Sequence, residues 1–157
     1  MKVIEYKATE DNKWAQYEIA GTYRVGWLHM VLFAKVLYTY LENPEVSVYE
    51  PFGEDFKPVA IKEADDLLKL EEGGALEIKG VNTSYGGVPF VFRFYDRQYG
   101  VHMLVPLDYL NSLKICKTEL LDENEKLHVF DWFLDSLEYK MAEELGRYDA
   151  AHNGEGA

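Results

Sequence analysis

Between Val88 and Tyr95 the chain alternates strictly, placing Phe90, Phe92 and Phe94 on one side of an extended backbone and Val91, Arg93 and Tyr95 on the other. Asp96-Arg97-Gln98 then turns the chain, and Tyr99 to Val105 returns with Val101, Met103 and Val105 on one face, so the segment predicts a β-hairpin. The same period of two over Lys2–Lys7 and Trp14–Ile19, interrupted by the polar stretch Ala8–Lys13, predicts an N-terminal hairpin. Ala75–Val81 reads as a further strand, ending before the Ser84-Tyr85-Gly86-Gly87 turn. Val46–Glu50 reads as a short strand followed by an irregular loop through Pro51, Gly53 and Pro58.

Helical periodicity begins after Gly21-Thr22, where Thr22 suits an N-cap, and is expected to run to about Glu42 and stop before Asn43-Pro44. This first helix is apolar nearly all round, with Arg24, Lys35, Thr39 and Glu42 gathered in a narrow stripe. Such a pattern predicts burial by the sheet on one side and by another element on the other; a dimer interface is the alternative. Leu67, Leu68 and Leu70 mark a short helix over Lys62–Glu72, with Gly73-Gly74 in the C-cap position. Pro106-Leu107-Asp108 suggests a helical turn, and Lys114–Thr118 carries no clear pattern. The last helix is expected to start near Asp122, with Glu125 completing a capping box. Leu127, Phe130, Leu134, Leu137, Met141 and Leu145 fall within one sector of about 80° on the helical wheel, a core face. Val129, Trp132 and Phe133 fall outside that sector. Residues 150–157 are small and polar and read as a frayed tail.

These elements predict a single α+β domain over 1–149: an antiparallel sheet of about five to six strands packed against two long helices and one short helix. A length of 157 residues suits one domain, and hydrophobic and aromatic fractions of 48% and 15% argue against intrinsic disorder. The one cysteine, Cys116, precludes an intrachain disulfide and suits a reducing compartment. Met1-Lys2-Val3-Ile4-Glu5 lacks the apolar run of a signal peptide, and Val25–Leu41 is too interrupted for a membrane span. A cytoplasmic protein without membrane association is the expectation.

Charge changes this picture most. Twenty-eight acidic residues against sixteen basic ones give −12, and Glu119–Asp149 alone holds ten carboxylates against Lys126, Lys140 and Arg147, a net of −7. A field of that sign repels nucleic acid and attracts basic protein surfaces. Catalytic and cofactor signatures are missing. No phosphate-binding glycine spacing and no nucleophile elbow occur, so neither enzyme activity nor a bound cofactor is expected. His128, Asp131, Asp135 and Glu138 have helical spacing that can meet one ion, yet a solvated acidic stripe explains them and no metal is expected. Arg93 and Arg97, interleaved with Tyr95 and Tyr99, are too few against this background to grip nucleic acid. His29 and His102 read as structural histidines.

The expected working surface is therefore Glu125, His128, Asp131, Trp132, Asp135, Glu138 and Glu143, an aromatic anchor ringed by carboxylates. It suits an acidic inhibitor that occupies a basic, nucleic-acid-handling protein such as a nuclease, in the manner of an immunity protein or of an anti-CRISPR or anti-restriction protein. Two alternatives stand beside it. One is a structural or regulatory subunit acting through oligomerisation, including a homodimer, at the first helix and Trp132. The other is a small-ligand-binding domain or enzyme lined by Tyr85, Arg93, Tyr95, His102 and Asp108.

Overall fold

The computed structural model describes residues 2–20, 26–95, 100–116 and 121–153. The strands are β1 (Lys2–Ala8), β2 (Trp14–Ala20), β3 (Glu42–Phe52), β4 (Asp55–Val59), β5 (Ala75–Asn82), β6 (Val88–Tyr95) and β7 (Gly100–Pro106). The α-helices are α1 (Trp27–Tyr40), α2 (Leu107–Cys116), α3 (Glu123–His128) and α4 (Asp131–Asn153), with 3-10 turns at Ala64–Lys69 and Thr83–Tyr85. All seven strands join one antiparallel sheet in the order β1-β2-β7-β6-β5-β3-β4. The α+β class is the expected one, but the sheet is wider and the helices are cut differently.

The extra strand comes from the stretch read as an irregular loop. β3 runs for 11 residues and turns at Gly53, whose φ of 63° is open to glycine, into β4. Pro51 pairs with Phe56 and Pro58 with Tyr49 in this ribbon. The pairing of β3 to β5 ends at Tyr49↔Ala75, so both prolines lie at the sheet's margin, where a missing N–H is tolerated.

The first helix begins at Trp27 with Gly26 as its N-cap and ends at Tyr40, so it is shorter than expected. Thr22 and Arg24 lie outside the described residues. The chain passes directly from Leu41 into β3, and Pro44 falls in a bulge between Glu42 and Glu45 where Asn43 takes a φ of 50°. This corner crosses β5 at Gly80, where a Cβ would stand 2.8 Å from that of Leu41. The short helix is a 3-10 turn closed at Leu70, and Gly73-Gly74 belong to the entry into β5 rather than to a helix cap. The helical turn at Pro106–Asp108 extends to the ten residues of α2. The single C-terminal helix is two helices, separated at Val129-Phe130, and the second continues past Asp149 to Asn153.

One face of the sheet carries the core. Tyr17, Met103, Phe92, Ile78 and Val46 form one cross-strand row, and the first four are fully buried. Phe33 of α1 packs edge-on against Phe92 and Phe94, while Phe133 of α4 stacks on Phe90 at 5.0 Å. The apolar α1 is thus buried within the monomer through Met30–Ala34, Val36 and Leu37. The opposite face is largely polar, with Glu5, Glu18, His102, Arg93, Glu77 and Ser47 in register, beside a buried apolar pair of Val91 and Leu104. Antiparallel sheets commonly solvate one side in this way.

A three-way ion cluster fastens the helical layer. Lys35 Nζ of α1 lies 2.9 Å from Asp65 and 3.1 Å from Glu144 of α4, and Trp27 Nε1 donates to Leu70 O at 2.8 Å. The hydrogen bond to Asp65 leads the causes that raise the Lys35 ammonium above its ordinary 10.5, against a smaller opposing effect of burial. A raised lysine contributes stability that is complete below the unfolded pKa and disappears as pH climbs through the folded one. A double-mutant cycle of Lys35→Met with Glu144→Gln is expected to give a coupling of about 0.5–1 kcal/mol between roughly pH 6 and pH 9, shrinking only above about pH 10.5. Chemical denaturation across that range measures it, and a coupling lost below pH 9 contradicts the assignment.

Tyr17 supplies a second test. Its side chain is fully buried against Tyr6 and Phe130, and its hydroxyl has no hydrogen-bond partner among the described residues. Burial accordingly holds its phenol strongly towards the neutral form. Tyr17→Phe retains the ring contacts and is expected to leave stability unchanged or raise it by up to about 1 kcal/mol, read from thermal unfolding. A loss of that size would mean that the hydroxyl is satisfied.

Candidate functional site

The candidate surface is assembled around the break between α3 and α4. Asp122 Oδ1 accepts from the Glu125 N–H at 2.7 Å and the Asp122 N–H points back to Glu125 Oε1 at 3.5 Å, the capping box expected from sequence. Helix α3 ends one turn later at His128. Phe130 then turns inward against Tyr17 and Phe90, and its carbonyl accepts from the Leu134 N–H at 2.9 Å to open α4. Across the break, His128 Nδ1 and Asp131 Oδ2 are joined at 2.8 Å.

Phe133, expected off the core, is fully buried against Phe90 and Tyr40. On the wheel Phe133 stands only about 40° beyond the predicted core sector, and its packing on Phe90 and Tyr40 widens that sector to include it. Trp132 points the other way and is 63% exposed, its ring tilted against Tyr85 with the centroids 5.8 Å apart. Tyr85 itself is wedged against Phe90, Phe130 and Phe133. Two turns further along α4, Tyr139 is 68% exposed. Asp135 lies between the two aromatics and Glu143 one turn beyond, both exposed, while Asp131 begins the face. Glu138 sits half-buried at its border, and Glu144 is drawn away to Lys35.

Of the expected residues, Asp131, Trp132, Asp135 and Glu143 therefore share the outer face of α4, whereas Glu125 and His128 belong to α3. These last two lie at a cleft of about 500 Å³ walled by Tyr85, Tyr109, Leu113, Leu121, Val129 and Phe130. Tyr139 and the cleft were not anticipated. The signal for Tyr139 was its position seven residues after Trp132, which repeats on one helical face. The cleft left no local signal because three separate elements build it.

The alternative ligand site does not assemble. Arg93 and His102 pair across β6 and β7 on the polar face, with Arg93 Nε bonded to Glu77 at 2.8 Å, whereas Tyr85 packs on the helical side. Burial, then the nearby charges of Lys7 and Arg93, lower the His102 pKa, and Asp108 is exposed on α2. The Tyr95 and Cys116 side chains, Arg97 and Tyr99 lie outside the described residues. Among the described residues, no three His, Cys, Asp or Glu side chains are grouped to hold a metal ion, and no helix is long and apolar enough to cross a membrane. Comparison with protein-family models, curated proteins and solved structures finds no match to the chain.

The adjacent residues Trp132 and Phe133 give a direct test of this geometry. Trp132→Ala is expected to change stability by less than about 1 kcal/mol, whereas Phe133→Ala should cost about 3–5 kcal/mol. Urea unfolding of the two variants decides the matter; comparable losses would mean that Trp132 is a core residue.

Proposed function

We propose that the protein is an acidic binding protein that occupies a basic, nucleic-acid-handling partner with the outer face of α4. The observation that carries this reading is the exposure of Trp132 and Tyr139 along one rigid helix face set with Asp131, Asp135 and Glu143. Large aromatics are enriched where interfaces carry their binding energy, because they bury much area at little entropic cost. Carboxylates beside them favour a cationic partner, and a net of −7 over Glu119–Asp149 steers its approach. A surface that normally takes phosphates offers the complementary charge. An inhibitor of immunity or anti-defence type acts in this way without chemistry of its own.

A second reading, assembly into an oligomer, has its own observation. Tyr49 and Phe56 are exposed on one face of the β3–β4 ribbon and Phe52 on the other. This moves the possible self-contact away from α1, which is buried. Light scattering across concentration separates the two readings, since only the second requires self-association.

Affinity capture from the native host, followed by kinetics on the purified partner, tests the first. The partner should be basic. Converting Asp131, Asp135 and Glu143 to lysine should slow association at least tenfold at low salt, because charge steering acts on the on-rate. Trp132→Ala should instead accelerate dissociation, by roughly 30-fold if the anchor contributes about 2 kcal/mol. An association rate indifferent to the three reversals places the contact elsewhere.

A further inference from the structure

We propose that the cleft between α2, α3 and the Thr83–Tyr85 turn is a socket for a large apolar side chain of the partner, one that is followed in its chain by lysine or arginine. This inference rests on the reading of α4 as the binding face and specifies what that face recognises. About 500 Å³ lies within the range of small-ligand pockets and exceeds what one buried water needs. Its walls are aromatic and aliphatic apart from Glu125 and His128, so the occupant's inserted part is mainly apolar.

Continuity with the helix face selects a polypeptide. Tyr85 is shared: one side of its ring lines the cleft and it also meets Trp132 at 5.8 Å. His128, which lines the cleft as well, is bonded to Asp131 at the head of the acidic face. A chain that buries one side chain beside Tyr85 and leaves past His128 therefore meets Asp131, Trp132 and Asp135 in turn. The two halves divide the chemistry. Burial, together for Tyr85 with the neighbouring Tyr40 and Tyr109, raises the pKa values of Tyr85 and Tyr109, so both phenols are neutral at physiological pH. The cleft then favours an uncharged group while the carboxylates outside it favour a cation. Anchors seated in a desolvated pocket and ringed by contacts that exclude water are the usual form of an interface hot spot.

Three synthetic peptides test this against the ¹⁵N-labelled protein by amide chemical-shift titration: KKWKK, KKAKK and EEWEE, with N-acetyltryptophanamide as the small-molecule control. KKWKK is expected to bind at least tenfold more tightly than KKAKK and to shift Leu113 and Val129 as well as α4. Leu113→Trp, which fills the cleft from within, should reduce KKWKK to the level of KKAKK, and Val129→Trp serves the same purpose if Leu113→Trp alters the circular-dichroism spectrum. Equal binding of KKWKK and KKAKK, both weakened by Asp131→Asn with Asp135→Asn, overturns the socket and leaves the acidic binding face standing. Equal binding of EEWEE and KKWKK overturns the requirement for a cation and with it the reading of α4. If N-acetyltryptophanamide binds as tightly as KKWKK, the cleft is a small-molecule site and the peptide assignment falls. Absence of shifts with every probe removes both.

Discussion

The rings of Phe90, Phe92 and Phe94 rise from the middle strand of the sheet, and the helical layer is seated on them. Phe33 brings α1 onto Phe92 and Phe94, Phe133 brings α4 onto Phe90, and Phe130 fixes the break before α4 on the same ring. Each such ring buries roughly 150–250 Å², which at ~25 cal/mol per Å² is roughly 4–6 kcal/mol before the entropy of ordering is counted. This seating also decides what faces solvent. Neighbouring residues on a helix point about 100° apart, so seating Phe133 at the centre of the core turns Trp132 outward. The exposure of Trp132 is thus a by-product of core packing.

The acidic face owes its character to the same layer. Glu144 is one of ten carboxylates between Glu119 and Asp149, yet it is spent within the fold on Lys35 and Arg147. What remains outward is a smaller set around Trp132 and Tyr139. A count of charge along the sequence overstates the field available to a partner, because part of that charge stitches α4 to α1.

Much of the sheet was legible in the chain. The alternation of Phe90, Phe92 and Phe94 gave β6 directly, and the register Phe92↔Met103 agrees with the two faces read from the hairpin. The Asp122–Glu125 capping box was equally plain, since both partners sit within four residues. What escaped is what local pattern cannot carry. Pro51, Gly53 and Pro58 signal a loop anywhere except at a sheet margin, and only the finished topology places them there. The break at Val129-Phe130 accompanies the contacts of Phe130 with Tyr17 and Phe90, and Phe133 is buried by Phe90 and Tyr40; all of these partners are remote in sequence, so the wheel left Phe133 outside the core. The candidate site was correspondingly half-visible: its charges and Trp132 could be read, while the cleft needed α2, α3 and Tyr85 to be brought together.

The strand order has a consequence for how the chain comes into being. From β3 to β7 each new strand pairs with one already made, β4 and β5 on opposite sides of β3, then β6 on β5 and β7 on β6. The β1–β2 hairpin is different, because its only other neighbour is β7, through pairs such as Trp14↔Pro106 and Ile19↔Val101. A lone hairpin is marginal in water. At about 5–20 residues per second, a ribosome makes β7 on the order of 5–15 s after β2, and the hairpin must wait that interval with its apolar side uncovered. A hairpin made well before β7 is thus among the last parts of the sheet to be locked, and the pairing that locks it closes the longest loop in the sheet.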